Sequence, residues 1–281
     1  MPGIRVVTDS ACDLPEDLVA RYRIPVVALS VRFGDEELTE IGPKDFWVRA
    51  HQSSQLPQTA APAPGAFVEV FRQLAAEGAS GIACINLSSK LSGTIEAARA
   101  AARQVDAEVP VEVIDSTAVS LGQGLLVLGA ARQAEEGRSL AEVSASVTAA
   151  AARLREYAVL DTLENLRRGG RLGGAKALLG SMLSIKPVIE IRDGVVREES
   201  KQRTRSRSLH HLAAKVAAAA AAGEVVELGV MHGDAPDIDT FVDLVAPAVP
   251  IDRIIVSLVG AVIGTHAGAG FVGVAWVGRP Q

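Results

Sequence analysis

In the first half of the chain, short runs of β-branched residues alternate with longer alanine-rich segments whose apolar residues recur every three or four positions. Short apolar runs indicate buried strands, and the longer period indicates amphipathic helices. The predicted strands are 4–8, 25–33, 81–87 and 111–115, and the predicted helices are 15–22, 65–77, 93–105, 122–136 and 140–154. Repeated strand–helix units of this kind favour a parallel sheet covered by helices.

The first predicted helix has a recognisable start. Asp13-Leu14-Pro15-Glu16 has the form of a helix cap. In such a cap Asp13 accepts backbone N–H groups and Glu16 reaches back towards the chain before the helix.

The pattern changes after residue 155. Apolar positions on both sides of Asp193-Gly194, a dipeptide typical of tight hairpin turns, predict antiparallel pairing over 189–197. The remaining predictions are a helix at 206–222, a strand at 225–231, a helix at 237–245, a strand at 253–258, a glycine-rich loop at 260–270 and a strand at 272–277. We therefore predict a two-domain α/β protein: residues 1–155 with a parallel sheet, residues 156–281 with a mixed or antiparallel sheet, and a ligand at their interface.

Composition narrows the classes of function. Hydrophobic residues make up 48% of the 281 residues and aromatic residues only 4%, so the interior must be mainly aliphatic. A net charge of −5 gives no general attraction to nucleic acid or to an anionic membrane, although transient membrane contact stays open. Two cysteines are too few for a disulfide framework and favour a reducing cytoplasm. No signal peptide and no span of roughly 20 apolar residues is evident, so we predict a soluble cytoplasmic protein.

The stretch Asn-Leu-Ser-Ser-Lys-Leu-Ser-Gly-Thr at 86–94 leaves a predicted strand and enters a predicted helix. A helix start presents unpaired N–H groups and the positive end of the helix dipole, and Ser92 or Thr94 adds a hydroxyl donor. These features suit an anion. The alternative is that Ser92 is an ordinary N-cap, which leaves Ser88, Ser89 and Thr94 without a role.

Two further segments carry isolated polar side chains. In 58–64, prolines stiffen an extended loop in which Thr59 is the small hydroxyl that could face a ligand. The glycine-rich segment 260–270 carries Thr265 and His266. A histidine on such a loop favours a functional role, with a structural hydrogen bond as the alternative.

Several catalytic and metal-binding motifs are missing or weak. The sequence has no phosphate-binding Walker loop and no nucleophile elbow, so it lacks the usual apparatus for nucleotide or ester hydrolysis. His232, Asp234 and Asp237 could ligate a metal, but aspartates that cap a loop after a strand are commoner. We predict no catalytic residues, no metal and no cofactor.

A basic run follows the hairpin: Arg197, Lys201, Arg203, Arg205 and Arg207. Without interleaved aromatic residues it is a poor nucleic-acid signature, and the net negative charge argues against a transcription regulator. The run is either a solvated face or a docking patch for an acidic or nucleotide-carrying partner. In a docking patch, Arg203, Arg205 and Arg207 would contact that partner.

Six motifs in chain order resemble those of the DegV family. They are Val-Thr-Asp-Ser-Ala-Cys-Asp-Leu at 7–14, Leu-Ser-Ser-Lys-Leu-Ser-Gly-Thr at 87–94, Val-Ile-Asp-Ser at 113–116 with Ser-Leu-Gly-Gln-Gly at 120–124, Leu-Arg-Arg-Gly-Gly-Arg at 166–171, Lys-Pro at 186–187 with Asp-Gly at 193–194, and Gly-Thr-His-Ala-Gly at 264–268.

The resemblance implies a two-domain protein that holds a long-chain fatty acid such as palmitate in a buried tunnel. Family members serve as the fatty-acid-binding subunit of a bacterial fatty acid kinase, whose separate ATP-binding subunit phosphorylates the carboxyl group. By position, the implied carboxyl ligands are Thr59, Ser92 and His266, with Arg171 and Thr265 beside them.

The sequence departs from the family pattern at 59–63, where it reads Thr-Ala-Ala-Pro-Ala instead of Thr-Ser-Gln-Pro-Ser. Ala60, Ala61 and Ala63 thus replace polar residues. The rival function is an acyl hydrolase or transferase with Ser92 as nucleophile and His266 as base. The sequence supplies no obvious acid to orient that histidine.

Overall fold

The computed structural model describes residues 3–175 and 185–279. The strands in chain order are β1 (Ile4–Asp9), β2 (Val26–Val27), β3 (Ser30–Phe33), β4 (Glu36–Leu38), β5 (Gln58–Ala60), β6 (Gly81–Asn86), β7 (Val111–Asp115), β8 (Leu154–Val159), β9 (Lys186–Arg192), β10 (Val195–Gln202), β11 (Leu228–His232), β12 (Ile254–Leu258) and β13 (Val272–Val277). The helices are α1 (Glu16–Arg21), α2 (Pro43–Gln52), α3 (Pro64–Ala76), α4 (Thr94–Val105), α5 (Ser120–Glu135), α6 (Leu140–Arg153), α7 (Glu164–Arg168), α8 (Arg205–Ala221), α9 (Ile238–Val245) and α10 (Ala261–Ala267).

The N-terminal half contains the predicted parallel sheet, with strand order β2-β1-β6-β7. Apolar side chains cover both of its faces. On one face Phe67 and Phe71 of α3 pack with Ala98 of α4, and on the other α5 and α6 contribute to a second core cluster. Burial on both faces explains why β6 reads as an uninterrupted apolar run rather than an alternating one.

The C-terminal half contains a six-stranded mixed sheet, with strand order β10-β9-β8-β13-β11-β12. Its pairings are antiparallel except between β11 and β12. Asp193 and Gly194 form the hairpin turn at φ 53° and 76°, the left-handed region that this two-residue turn requires. The prediction of two different sheets is confirmed. The predicted domain boundary at residue 155 falls inside β8.

Helix α5 lies between the two sheets and packs on strands of both. The side chains from Ser120 to Ala131 are all buried, so no exposed polar face interrupts this part of the helix. Two glycines make this close approach feasible. A Cβ at Gly122 would lie 2.4 Å from Glu156 Oε2, and one at Gly124 would lie 2.7 Å from the Cys12 carbonyl oxygen.

Several elements depart from the sequence prediction. The predicted strand 25–33 is split, since β2 joins the parallel sheet whereas β3 pairs with β4 and β5 in a separate antiparallel sheet. The glycine-rich loop 260–270 contains α10, because Gly264 lets the helix pack against Phe46 and Trp47. Neither α2 nor β8 was predicted, and both have mixed polar and apolar residues that hide their periodicity.

Asp13 is not the helix cap that the sequence suggested. Pro15 occupies the N-cap position of α1 and makes no side-chain capping bond. The Asp13 carboxylate instead accepts hydrogen bonds from Ser120 Oγ at 2.6 Å and from the backbone N–H of Gly260 at 2.8 Å. Asp13 therefore links the two halves of the molecule.

Within residues 3–175 and 185–279, none of the helices has both the length and the apolar character required to cross a membrane.

Candidate functional site

An apolar cavity lies between the two sheets. Both halves of the chain line the cavity with mainly aliphatic side chains, among them Leu29, Leu87, Leu160, Ile189, Met231 and Phe271. The alternation of side chains along a strand explains which residues line the cavity. On β11, Met231 points into this space while its neighbour Val230 packs under α8 and α9.

Thr59 and His266 meet at the wall of this cavity, although 207 positions separate them in sequence. The Thr59 hydroxyl lies 2.9 Å from His266 Nε2. Thr59 is held by β5, and His266 lies in the last turn of α10. Gly169 packs so closely against the imidazole that a Cβ at this position would lie 2.4 Å from His266 Nδ1. These contacts fix the orientation of the ring.

Ser92 lines the same cavity and lies just before α4. Its hydroxyl is 2.9 Å from Thr94 Oγ1 and accepts the backbone N–H of Thr94 at 3.3 Å. Gly93, and not Ser92, occupies the N-cap position of the helix. The alternative that Ser92 is the N-cap of this helix is therefore wrong, and Ser92 is instead one of the residues that line the cavity.

Arg171 gives this part of the cavity a positive charge. Its guanidinium donates to the carbonyl oxygens of Leu91 at 3.1 Å and of Gly169 at 2.6 Å. Burial, together with the nearby Arg171 charge, lowers the pKa of His266 to about 4, so the imidazole is neutral near pH 7. Two hydroxyls, a neutral imidazole and a guanidinium are suited to hold a carboxylate.

Thr265 lies beside this group but does not line the apolar cavity. Its side chain faces a neighbouring, more polar outer pocket of about 1000 Å³, together with Arg168. Its hydroxyl is buried and has no hydrogen-bond partner among the described residues. Thr59, Arg171 and His266 line both spaces and form the wall between them.

A second polar region lies elsewhere on the cavity wall, and sequence analysis missed it. Glu156 on β8 is only 4% exposed, and its Oε2 accepts the backbone N–H of Val119 at 3.3 Å. Ser120, at the start of α5, lines the cavity beside it. Burial, reinforced by the charge of Asp13, raises the pKa of Glu156 to about 8. Burial likewise raises the pKa of Asp13 to about 7. The signal in the sequence was a lone acid, Glu156, in the segment 154–160.

The predicted docking arginines lie around the start of α8 and do not line the cavity. Arg203 and Arg207 are exposed. Arg205 is more deeply set and makes a two-bond ion pair with Asp237, at 2.9 and 2.7 Å. It therefore has a structural role. That ion pair also occupies Asp237, one of the three side chains considered for a metal, and no cluster of three metal-binding side chains occurs in residues 3–175 and 185–279.

The geometry does not favour the hydrolase alternative. The His266 imidazole pairs with Thr59, and the Ser92 hydroxyl pairs with Thr94. His266 Nδ1 is buried without an acceptor among the described residues. A serine nucleophile requires a histidine base that a third group orients, and these side chains form no such chain of hydrogen bonds.

Comparison with known proteins gives one consistent result. The profile of the DegV family, described as uncharacterised, matches residues 3–279. A DegV domain-containing protein from Streptomyces coelicolor is 40% identical over 276 residues, covering 96% of this chain and 97% of the relative.

Two solved structures superpose over nearly the full length. A DegV family protein from Thermus thermophilus, described as binding fatty acid, has 32% identity and a TM-score of 0.90, covering 99% of this chain and 100% of that one. DegV from Bacillus subtilis, described as a fatty acid binding protein, has 30% identity and a TM-score of 0.89 with the same coverage.

Proposed function

Because the chain belongs to the DegV family, we propose that it binds a long-chain fatty acid in the cavity between its two sheets. The acyl chain occupies the aliphatic space, and the carboxyl group lies against Thr59, Ser92 and His266. The observation that carries this proposal is that these three side chains and Arg171 line the same mainly aliphatic cavity, with Thr59 and His266 in direct contact. Fatty acid binding by two similar proteins supports it.

Affinity and orientation come from different parts of the ligand. Each methylene removed from water contributes about 0.8 kcal/mol, so a long chain supplies most of the binding free energy. An ionised carboxylate would be costly to bury without partners. The hydroxyls, the imidazole and Arg171 offset that cost at one place only, and this fixes which end of the ligand lies there.

The binding protein presents the carboxyl group to a partner and performs no chemistry itself. Thr59, Arg171 and His266 line both the apolar cavity and the outer pocket, so a carboxyl group held there can be reached from outside. The partner that the resemblance implies is the ATP-binding subunit of a fatty acid kinase, which would form the acyl phosphate in the cytoplasm. Arg203 and Arg207 offer exposed positive charge for docking, whereas Arg205 supports their loop through Asp237.

Native mass spectrometry of the purified protein tests the binding. We expect an added mass equal to that of one fatty acid, and release of that fatty acid on denaturation. The protein stripped of lipid should bind palmitate again by calorimetry. The Ser92→Ala variant should bind it more weakly, whereas Ser89→Ala, an exposed serine in the same loop, should not. Absence of both co-purified and added fatty acid would contradict the proposal.

A reconstitution tests the presentation. With ATP and palmitate, the protein alone should form no acyl phosphate, and addition of a bacterial ATP-binding kinase subunit should produce it. His266→Ala should reduce this phosphorylation more than it reduces binding, because the imidazole also fixes the angle of the carboxyl group. Acyl phosphate formed without the second protein would show that the chain is an enzyme after all.

A further inference from the structure

The wall of the cavity around Glu156 is a polar region that the binding of a plain acyl chain leaves unused. Glu156 is almost fully buried and lines the cavity, but it is not one of the residues proposed to hold the carboxyl group. A methylene chain makes no hydrogen bond with a carboxyl group. Burying a carboxyl group with a single hydrogen bond costs free energy, so its presence here needs an explanation.

The hydrogen bonds around Glu156 leave one of its oxygens available. Oε2 accepts the Val119 N–H, and Gly122 lets the carboxyl group approach α5 closely. No described residue makes a hydrogen bond to Oε1. A carboxyl group with a raised pKa carries its proton at neutral pH, and the free oxygen is the one that would bear it. Oε1 is then a donor without an acceptor.

Ser120 supplies the complementary acceptor beside it. Its hydroxyl donates its hydrogen to Asp13 Oδ2 at 2.6 Å, and this leaves the oxygen lone pairs for another donor. Ser120 follows Val119, whose N–H holds Glu156, and both Ser120 and Glu156 line the cavity. One donor and one acceptor are thus adjacent on an apolar wall.

We propose that Glu156 and Ser120 form a second subsite that recognises a hydroxyl group on the acyl chain, so that the preferred ligands include hydroxylated fatty acids. A hydroxyl both accepts and donates hydrogen bonds. Its oxygen would accept a hydrogen bond from Glu156 Oε1, and its O–H would donate one to Ser120 Oγ. This inference rests on the proposed fatty acid binding and adds a class of ligand to it.

The alternative is that Glu156 only supports the start of α5. That function needs no more than the Val119 bond, and it would give no preference for a hydroxyl at any one position of the chain. The two explanations therefore differ in ligand selectivity, which can be measured.

The experiment compares octadecanoic acid with hydroxyoctadecanoic acids that carry the hydroxyl near the carboxyl group, at mid-chain or at the terminal carbon. Affinities are measured for the lipid-free parent, Glu156→Met, Glu156→Gln and the control Glu190→Met. Glu190 lies on the neighbouring strand β9 opposite Tyr157. It lines the outer groove that Glu156 also borders, but unlike Glu156 it does not line the cavity.

For one hydroxyl position, the affinity relative to octadecanoic acid should fall about tenfold in Glu156→Met, the loss expected for one or two hydrogen bonds. Glu156→Gln, whose amide still donates, should keep most of the preference, and Glu190→Met should keep all of it. Octadecanoic acid itself should bind Glu156→Met as well as the parent or better, since the apolar wall becomes continuous.

Two results would overturn the subsite while leaving fatty acid binding intact. The first is that the parent protein binds octadecanoic acid but binds all the hydroxyoctadecanoic acids equally well. This measurement does not depend on the folding of any variant. The other is an unchanged ratio in Glu156→Met. A parent that binds none of these acids would instead overturn fatty acid binding, and the subsite with it.

Discussion

The cavity has two polar regions of opposite chemistry. The region around Thr59, Ser92, Arg171 and His266, which we call the donor region, presents hydroxyls, a neutral imidazole and a positive charge. The region around Ser120 and Glu156, the acid region, presents one buried carboxyl group at the start of α5, and a second buried carboxyl group, that of Asp13, lies behind Ser120.

The difference shows how one apolar space can impose a direction on its ligand. A carboxylate in the donor region meets a positive charge and several donors, whereas in the acid region burial opposes its charge and the protonated Glu156 offers a single donor. The proposed ligand is therefore favoured with its carboxyl group in the donor region. The donor region combines segments from both halves of the chain, so this polarity also depends on how the halves pack.

The largest expected effect concerns the stability cost of the acid region. Glu156→Gln removes a buried group whose pKa is raised to about 8 in the folded protein. Below about pH 4.5 both folded and unfolded parent hold the proton, so parent and variant should be similarly stable. As pH rises towards 8, only the unfolded parent releases it, and the parent loses about 1.4 kcal/mol of stability per pH unit relative to the variant.

Urea unfolding of parent and Glu156→Gln at several pH values measures this difference. It should level off above about pH 8, near 4 to 5 kcal/mol if the full shift is realised. A gap that stays constant across the pH range would mean that folding does not shift the pKa of Glu156, and that its carboxyl group is ionised at neutral pH in the folded protein.

The second-largest effect is expected when an acidic side chain is introduced into the donor region. Ser92→Asp places a carboxylate beside the bound carboxylate, and like charges in a buried site repel strongly. We expect roughly a hundredfold loss of palmitate affinity, about 3 kcal/mol, in calorimetric titrations. Ser89→Asp adds the same charge at an exposed position of the same loop and should bind almost normally. Similar losses in both variants would point to a general charge effect.

A milder change tests the hydrogen bonds themselves. Thr59→Ala and Ser92→Ala should each weaken palmitate binding by about 1 to 3 kcal/mol, the range for hydrogen bonds to charged groups. A fatty alcohol of equal length should bind the parent more weakly and lose less affinity in Ser92→Ala. Acid and alcohol affinities of parent and variant form a double-mutant cycle. Equal losses for both ligands would show that the Ser92 hydroxyl only supports the turn before α4.

The smallest effect lies outside the cavity, where neither polar region is touched. Reversing Arg203 and Arg207 to glutamate should leave palmitate affinity unchanged and weaken association with the kinase subunit several-fold, more strongly at low salt. Binding of the labelled variant to the kinase subunit at two ionic strengths measures this. Arg205 is left intact because its ion pair with Asp237 supports the fold. Unchanged association would leave these arginines as an ordinary solvated face.

Sequence patterns determined most of the architecture. Continuous apolar runs marked β6, and Asp193-Gly194 marked the hairpin between β9 and β10, because periodicity and turn chemistry are local properties. Residue patterns singled out Thr59, Ser92 and His266, and the resemblance to the DegV family added Arg171 and joined the four into one carboxyl site. The patterns failed where short elements mix polar and apolar residues, as in α2 and β8.

Only the tertiary structure decided which side chains meet. The bond between Thr59 and His266 spans 207 positions, and the bond between Ser120 and Asp13 spans 107. No local period encodes such distances. The acid region was invisible for the same reason, since an aspartate before a helix and a glutamate in a strand are ordinary in sequence. They become unusual only when packing removes them from water, which raises the free energy of their charged forms and gives each carboxyl group its shifted pKa.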